Sequence, residues 1–252
     1  MVKLPAGYTL LVRERVRAAV RRDLAETLGP WLLGDQLAVP PTAEPVRGGR
    51  GAAYRAVLPG GVRAVVRPYR RGGLLARFVR QTYVGLRSRP LVELAVTAEV
   101  RGRGVPAAEV LAARVEGGPF AYRGALVTAE IRGALPLLHA LESVDDGSRV
   151  RLAEEAGAAV GALHAAGVFH ADLNLDNILV PGDGAQGGAT LVDFDRARIR
   201  RAPLAARGRR RNLMRLARSA RKLDPSGRWT SGEALAAFCA GYARTAGVPC
   251  AC

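Results

Sequence analysis

Two short polar segments constrain this chain more than any other feature. The first is His170-Ala-Asp-Leu-Asn-Leu-Asp-Asn177; the second, Asp193-Phe-Asp195, begins sixteen residues after Asn177. Each borders a brief apolar run: Ile178-Leu-Val180 follows the first, and Ala189-Thr-Leu-Val192 leads into the second. The two runs bracket a glycine-rich turn at Gly182–Gly188, and read as short strands. Loop Asp and Asn residues commonly do no more than make turns. Two such segments in this order, each joined to its own strand, call for a chemical reason.

Around them the chain divides into a β-rich first half and an α-rich second half. Val12, Val16, Val20, Leu24 and Leu28 recur every four residues, which predicts an amphipathic helix over 12–28 ended by Gly29-Pro30. Val39-Pro-Pro-Thr-Ala-Glu-Pro45 reads as a linker. Ala52–Val57 and Val62–Arg67, joined by Pro59-Gly-Gly61, predict a β-hairpin. Leu91–Arg101 predicts a helix, and Val110–Val115 and Ala125–Ile131 two further strands. From Gly133 the pattern turns helical: Leu152, Ala156, Ala159, Val160 and Leu163 share one face, and 212–222 and 231–246 read as closing helices. The expected organisation is α+β and bilobal, with residues 1–133 as a β-rich lobe holding one main helix and 134–252 as a helical lobe.

The two opening segments resemble the phosphoryl-transfer core of the protein-kinase-like fold, His-x-Asp-Leu-x-x-x-Asn followed by Asp-Phe. In that chemistry one carboxylate meets the acceptor hydroxyl, while an amide and a second carboxylate hold the metal ions that neutralise the moving phosphate. The resemblance makes Asp172 the base, and Asn177 and Asp193 ligands of Mg2+, a hard cation suited to oxygen donors. His170 is then expected to hold the loop rather than move a proton, because Asp172 already fills that role.

The first half supplies candidates for ATP. Gly48, Gly49 and Gly51 lie where a phosphate-covering loop would precede a strand, although in a chain with 30 glycines the run also reads as an ordinary turn. Arg67 ends a strand where a protein kinase has lysine, and a guanidinium can still clamp phosphate. Glu93, in the first turn of the following helix, is its preferred partner, with Glu99 the competitor. Glu130 closes the last strand where the connection would pass the adenine, and reads equally well as a solvated strand-end charge.

Net charge is +16, and only Lys3 and Lys222 among the 38 basic residues are lysine. A surplus this large points to an anionic partner. Twelve of these residues, and no acid, lie between Arg196 and Lys222. Beside the acceptor-facing loop, such a tract reads as a footprint for a phosphorylated lipid at an acidic membrane surface. Aromatics are only 5% and do not interleave with it, so a stacking platform for nucleic acid is not expected. No apolar run approaches the ~18 residues of a membrane span, and no signal region opens the chain, which places it on the cytoplasmic side. Cys239, Cys250 and Cys252, with no histidine near, suggest neither a disulfide framework nor a zinc site.

Beyond the shared core, the chain resembles the 3-deoxy-D-manno-octulosonic acid (Kdo) kinases, kin to the lipopolysaccharide core heptose kinases. The resemblance rests on Val66-Arg-Pro-Tyr-Arg-Arg-Gly-Gly-Leu-Leu-Ala-Arg77, Arg89-Pro-Leu-Val-Glu-Leu94, Gly104-Val-Pro106, Thr128-Ala-Glu-Ile-Arg-Gly133, Asp193-Phe-Asp-Arg196 and Asn212-Leu-Met-Arg-Leu-Ala-Arg-Ser219. It implies ATP-dependent phosphorylation of Kdo at O-4 on a Kdo-lipid A precursor, at the cytoplasmic face of the inner membrane, with no obligate protein partner. It also makes arginine at position 67 normal. Ala171 replaces the arginine that would pair with a phosphorylated loop, Asp195 replaces the usual glycine, and no Ala-Pro-Glu follows. These departures favour a lipid-sugar acceptor over a protein. The alternatives are a heptose kinase, a small-molecule phosphotransferase (whose acidic pocket for a cationic drug fits the basic tract poorly), and a non-enzymatic basic scaffold.

Overall fold

A computed structural model of the protein describes residues 3–34, 40, 42–46, 53–69, 88–118, 122–181 and 188–250. The chain forms two compact units, Met1–Glu99 with Glu109–Glu130, and Val100–Ala108 with Ile131–Cys252. The division falls at Glu130 rather than at 133, and Val100–Ala108, from the last turn of the main helix onward, belongs with the second unit. The class is α+β, as the sequence implies.

In the first unit the described strands are β1 (Tyr8–Arg13), β2 (Val16–Arg21), β3 (Glu44–Pro45), β4 (Tyr54–Leu58), β5 (Val62–Pro68), β6 (Val110–Gly117) and β7 (Tyr122–Ala129). They form one antiparallel sheet in the order β1-β2-β6-β7-β5-β4-β3. Side chains alternate across it. Ala18, Val20, Ala64, Val66 and Val127 pack on one face with Leu28 and Leu32 of α1 (Ala25–Leu32). Ala19, Ala113, Val115 and Leu126 pack on the other with Leu91 and Leu94 of α2 (Arg89–Gly102). Because Val66 faces α1, Arg67 is turned to the side that α2 covers.

The expected helix over 12–28 is not there. Residues 8–21 form the β1–β2 hairpin, with Glu14 at φ 51° in its turn, and only Ala25–Leu32 is α-helical. A repeat of four is even, so it satisfies a two-residue strand period as well as a helical one. The alternation of Val16, Ala18 and Val20 with Arg15, Arg17 and Arg21 is the strand signal, and all three apolar residues are buried. Pro30 lies inside α1 rather than ending it. In the expected linker, Glu44–Pro45 is the short edge strand β3.

The second unit contains β8 (Ala134–Pro136), α3 (Leu137–Ser143), α4 (Asp146–Ala165), β9 (Val168–Phe169), β10 (Ile178–Pro181), β11 (Thr190–Leu191), β12 (Arg198–Ile199), α5 (Ala206–Leu223) and α6 (Gly232–Ala246). Strands pair in the orders β11-β10-β8 and β12-β9. Asp145 caps α4, accepting from the Ser148 N–H at 2.9 Å. Helices α4 and α6 pack backbone to backbone: a Cβ on Gly157 would sit 1.9 Å from the Phe238 carbonyl oxygen, and one on Gly241 2.0 Å from that of Glu154. This contact fixes Tyr242 of α6, fully buried, against the end of α4 that leads to the first polar segment.

Candidate active site

The loop from His170 to Asn177 is anchored at its start by side chains that are themselves buried. Asn212 of α5 binds both polar groups of one residue: its Nδ2 donates to the His170 carbonyl at 2.6 Å, and its Oδ1 accepts from the His170 N–H at 3.1 Å. The same Oδ1 lies 3.2 Å from His164 Nε2, and His164 Nδ1 lies 2.9 Å from the Tyr242 hydroxyl. An amide oxygen requires a donor, so His164 carries its proton on Nε2 and accepts from Tyr242 through Nδ1.

His170 is fully buried. Its Nε2 faces the Val192 carbonyl at 3.0 Å, and its Nδ1 accepts from the Asp172 N–H at 3.2 Å. These partners fix a neutral ring protonated on Nε2. Burial pushes its pKa down, against the pull of the Val192 carbonyl and of the Asp193 and Asp172 charges. The ring thus joins the backbone beside Asp172 to the backbone just before Asp193, and it rests on Phe194 with centroids 5.0 Å apart.

Alternate residues of the loop, Leu173 and Leu175, are buried, which turns the Asp172 side chain outward to 60% exposure. Asn174 Oδ1 accepts from the N–H groups of Asp176 and Asn177 at 2.9 and 3.1 Å. Asn177 Nδ2 donates to the Asp172 carbonyl at 2.8 Å, which leaves its amide oxygen for a hard cation. Val192 N–H donates to the Asn177 carbonyl at 3.1 Å, so Asn177 and the start of the Asp193 segment are neighbours. Asp193 itself has φ 64°, in the left-handed region that few residues with a Cβ adopt, Asp among the more frequent of them. An amide oxygen and a carboxylate are oxygen donors of the kind that could hold Mg2+.

In the first unit, Glu93 is 3% exposed and receives two donors, Arg67 on Oε1 and the Tyr69 hydroxyl on Oε2. The Arg67 guanidinium also lies 5.1 Å from the centroid of the Tyr69 ring. Glu93 rather than Glu99 is therefore the partner of Arg67. Glu130 is not a solvated charge: its side chain is 16% exposed, 3.7 Å from Arg55 and 3.8 Å from Arg63. Gly48, Gly49 and Gly51 lie outside the described residues.

Asn212, Ser219 and Arg215 lie in the segment 212–219 that helps carry the resemblance, but the sequence alone gives none of them a site role. Asn212 interrupts the buried face shared with Leu213 and Leu216, a polar residue in an apolar stripe. Ser219, two turns on, accepts from the Leu175 N–H at 3.2 Å. Arg215, read from sequence as part of the basic surface, instead places Nη1 3.3 Å from Asp172 Oδ1.

The buried histidines make stability depend on pH. Burial, reinforced by Arg209 and only partly opposed by the Asn212 bond, lowers His164 from its ordinary 6.5 to about 4. Between those values the unfolded ring takes up a proton that the folded ring refuses, so stability falls as pH drops through that window. His164 alone should contribute about 3 kcal/mol to the loss, and His170 acts in the same direction. Urea unfolding between pH 7 and pH 4 should show this slope, and His164→Gln should flatten it; an unchanged slope in the variant would contradict the assignment.

Comparison with known proteins identifies the family. The model of the Lipopolysaccharide kinase (Kdo/WaaP) family matches residues 41–242. A 3-deoxy-D-manno-octulosonic acid kinase of Xanthomonas campestris pv. campestris (strain B100) is 37% identical over 221 residues, 86% of this chain and 81% of the relative. Kinases of the same name from Xylella fastidiosa (strain M12) and Stenotrophomonas maltophilia (strain R551-3) are 37% identical over 72% of this chain and 71% of the relative, and 36% identical over 86% and 81%. A solved structure of WaaP in complex with acyl carrier protein superposes with a TM-score of 0.53 at 20% identity, covering 81% of this chain and 79% of that one. That likeness establishes the kinase-like fold, and the sequence matches establish more: the chain belongs to the lipopolysaccharide kinase (Kdo/WaaP) family and is a kinase.

Proposed function

We propose that this kinase transfers the γ-phosphoryl group of ATP to the 4-hydroxyl of Kdo on a Kdo-lipid A precursor. The observation that carries the reading is a loop fixed at His170, Leu175 and Asn177 in which Asp172, its backbone N–H held by the buried His170 ring, presents an exposed carboxylate. Such a group suits a base that orients the acceptor hydroxyl and takes its proton late, as a loose phosphoryl-transfer transition state requires. The hydroxyl oxygen bonds to the γ-phosphorus, the bond to the β-bridging oxygen breaks, and the proton passes to Asp172. Asn177 and Asp193 would hold magnesium, which supplies charge neutralisation. Arg67, oriented by Glu93 and Tyr69, binds nucleotide phosphate with a fork that stays charged. Gly48, Gly49 and Gly51 are the candidates for a phosphate-covering loop, and the chain around Glu130 would meet the base. The choice of Kdo over heptose rests on the 3-deoxy-D-manno-octulosonic acid kinases to which this chain is similar.

Membrane contact is proposed through α5. No described helix is long and apolar enough to cross a membrane. Arg207, Arg210, Arg211, Met214, Arg218 and Arg221 recur at helical spacing and are exposed, with Met214 at 51%. A basic stripe around one apolar side chain fits the headgroup region of an anionic leaflet at the cytoplasmic face.

Incubation with ATP, Mg2+ and Kdo-lipid A precursor should add one phosphate to the lipid, read by mass spectrometry, with O-4 identified by NMR. Asp172→Ala should lower kcat by roughly 100- to 10,000-fold. Transfer only to heptosylated core would replace the acceptor with heptose, and robust transfer by Asp172→Ala would remove that residue from the mechanism. For the membrane, binding to vesicles containing anionic lipid should fall with salt. A triple Arg207, Arg210 and Arg218→Gln variant should weaken it by roughly 100-fold, at about 1 kcal/mol per residue; unchanged binding would exclude α5 as the contact.

A further inference from the structure

Helix α5 reads the catalytic loop at three places along one face. Asn212 binds His170, Arg215 reaches Asp172, and Ser219 binds Leu175. Two of these contacts are to backbone and hold the loop in shape. The third is different: it joins two charged side chains in the open, with Arg215 42% and Asp172 60% exposed. Exposed pairs of this kind add little to stability. A single contact at 3.3 Å engages one nitrogen of the guanidinium, and among the described residues no other acceptor meets it. Arginine has five N–H donors in a planar fork, so most of this one's capacity is unspent.

A cation beside the base has a chemical use when the acceptor is itself an anion. Kdo, the acceptor on which this inference rests, carries a carboxylate on the same sugar ring as its hydroxyls. Bringing that hydroxyl to Asp172 also brings the sugar's carboxylate close to a second carboxylate, and like charges a few ångströms apart repel. A guanidinium at that point removes the repulsion and offers a bidentate partner of matching geometry. We propose that Arg215 binds the carboxylate of the acceptor sugar: it rests on Asp172 when no acceptor is present and presents its remaining donors to the acid group as the hydroxyl arrives. Arg215 then determines specificity, because a neutral sugar gains nothing from it and leaves it facing Asp172 alone. Helix α5 places Arg215 beside its target by the same face that anchors the loop, so recognition and support share one element.

The test uses two acceptors, Kdo-lipid A precursor and the same lipid with the Kdo carboxyl as a methyl ester, and measures kcat/KM with wild type, Arg215→Gln and Arg215→Lys. Esterification should lower the wild-type value by roughly 10- to 100-fold, the scale of one charge-assisted contact. Arg215→Gln should lose a similar factor on the acid, and the two losses should not add: the variant should treat acid and ester nearly alike. Arg215→Lys, which keeps the charge without the fork, should fall between, and the KM for ATP should stay within about twofold, since no uniform binding to nucleotide is removed. Equal losses by Arg215→Gln on acid and ester would overturn the proposal, assigning Arg215 to the phosphoryl group or to loop structure. So would a wild type indifferent to esterification. A wild type that phosphorylates neither Kdo lipid, only a neutral heptosylated acceptor, would overturn the Kdo reading and this inference with it; failure of the inference alone leaves transfer to Kdo intact.

Discussion

One amide side chain fixes the geometry on which the second unit depends. Asn212 satisfies the N–H and the carbonyl of His170 together and accepts a third hydrogen bond from His164. All three residues are at most 1% exposed, so no water replaces a lost partner. An unsatisfied buried polar group costs about 1–3 kcal/mol, which makes this arrangement far stiffer than the count of bonds alone implies. From His170 the constraint passes outward through its ring to the Asp172 N–H and the Val192 carbonyl. The backbone at Asp172 and the backbone just before Asp193, separated in sequence, are thereby joined by one neutral imidazole. The close packing of α4 on α6 is part of the same device, because it brings Tyr242 to His164.

The first unit solves a similar problem with charge. Glu93 is buried, and it receives Arg67 on one oxygen and Tyr69 on the other. Removing either donor would leave a buried carboxylate short of a partner, which costs more than the pair itself contributes. Arginine stays charged in such a setting, whereas a buried lysine readily loses its proton. In the proposed mechanism this gives a nucleotide-binding cation whose charge does not vary with the state of the site.

Much of this was legible in the sequence, for identifiable reasons. The spacing of Asp172, Asn177 and Asp193 survives as pattern because loop geometry ties each to a short strand. Val62–Pro68 alternates cleanly, so the facing of Arg67 toward α2 follows from a two-residue period. The stretch 12–28 misled because a four-residue repeat serves helix and strand alike, and the turn at Glu14 lacks the usual glycine. Composition hid Arg215: in a tract of twelve basic residues nothing local separates the one that meets Asp172 from those that face solvent. Asn212 and Tyr69 act on partners 42 and 24 residues away, and such pairings appear only once the helices and strands are in place.

Asn212 is the side chain on which the shape of the loop most directly depends. In Asn212→Ala, studied at a temperature where the variant remains folded, kcat should fall by at least about tenfold while the KM for ATP changes little, because a misplaced base costs transition-state stabilisation and not nucleotide binding. A folded Asn212→Ala enzyme with the wild-type kcat would contradict the claim that this side chain sets the catalytic loop.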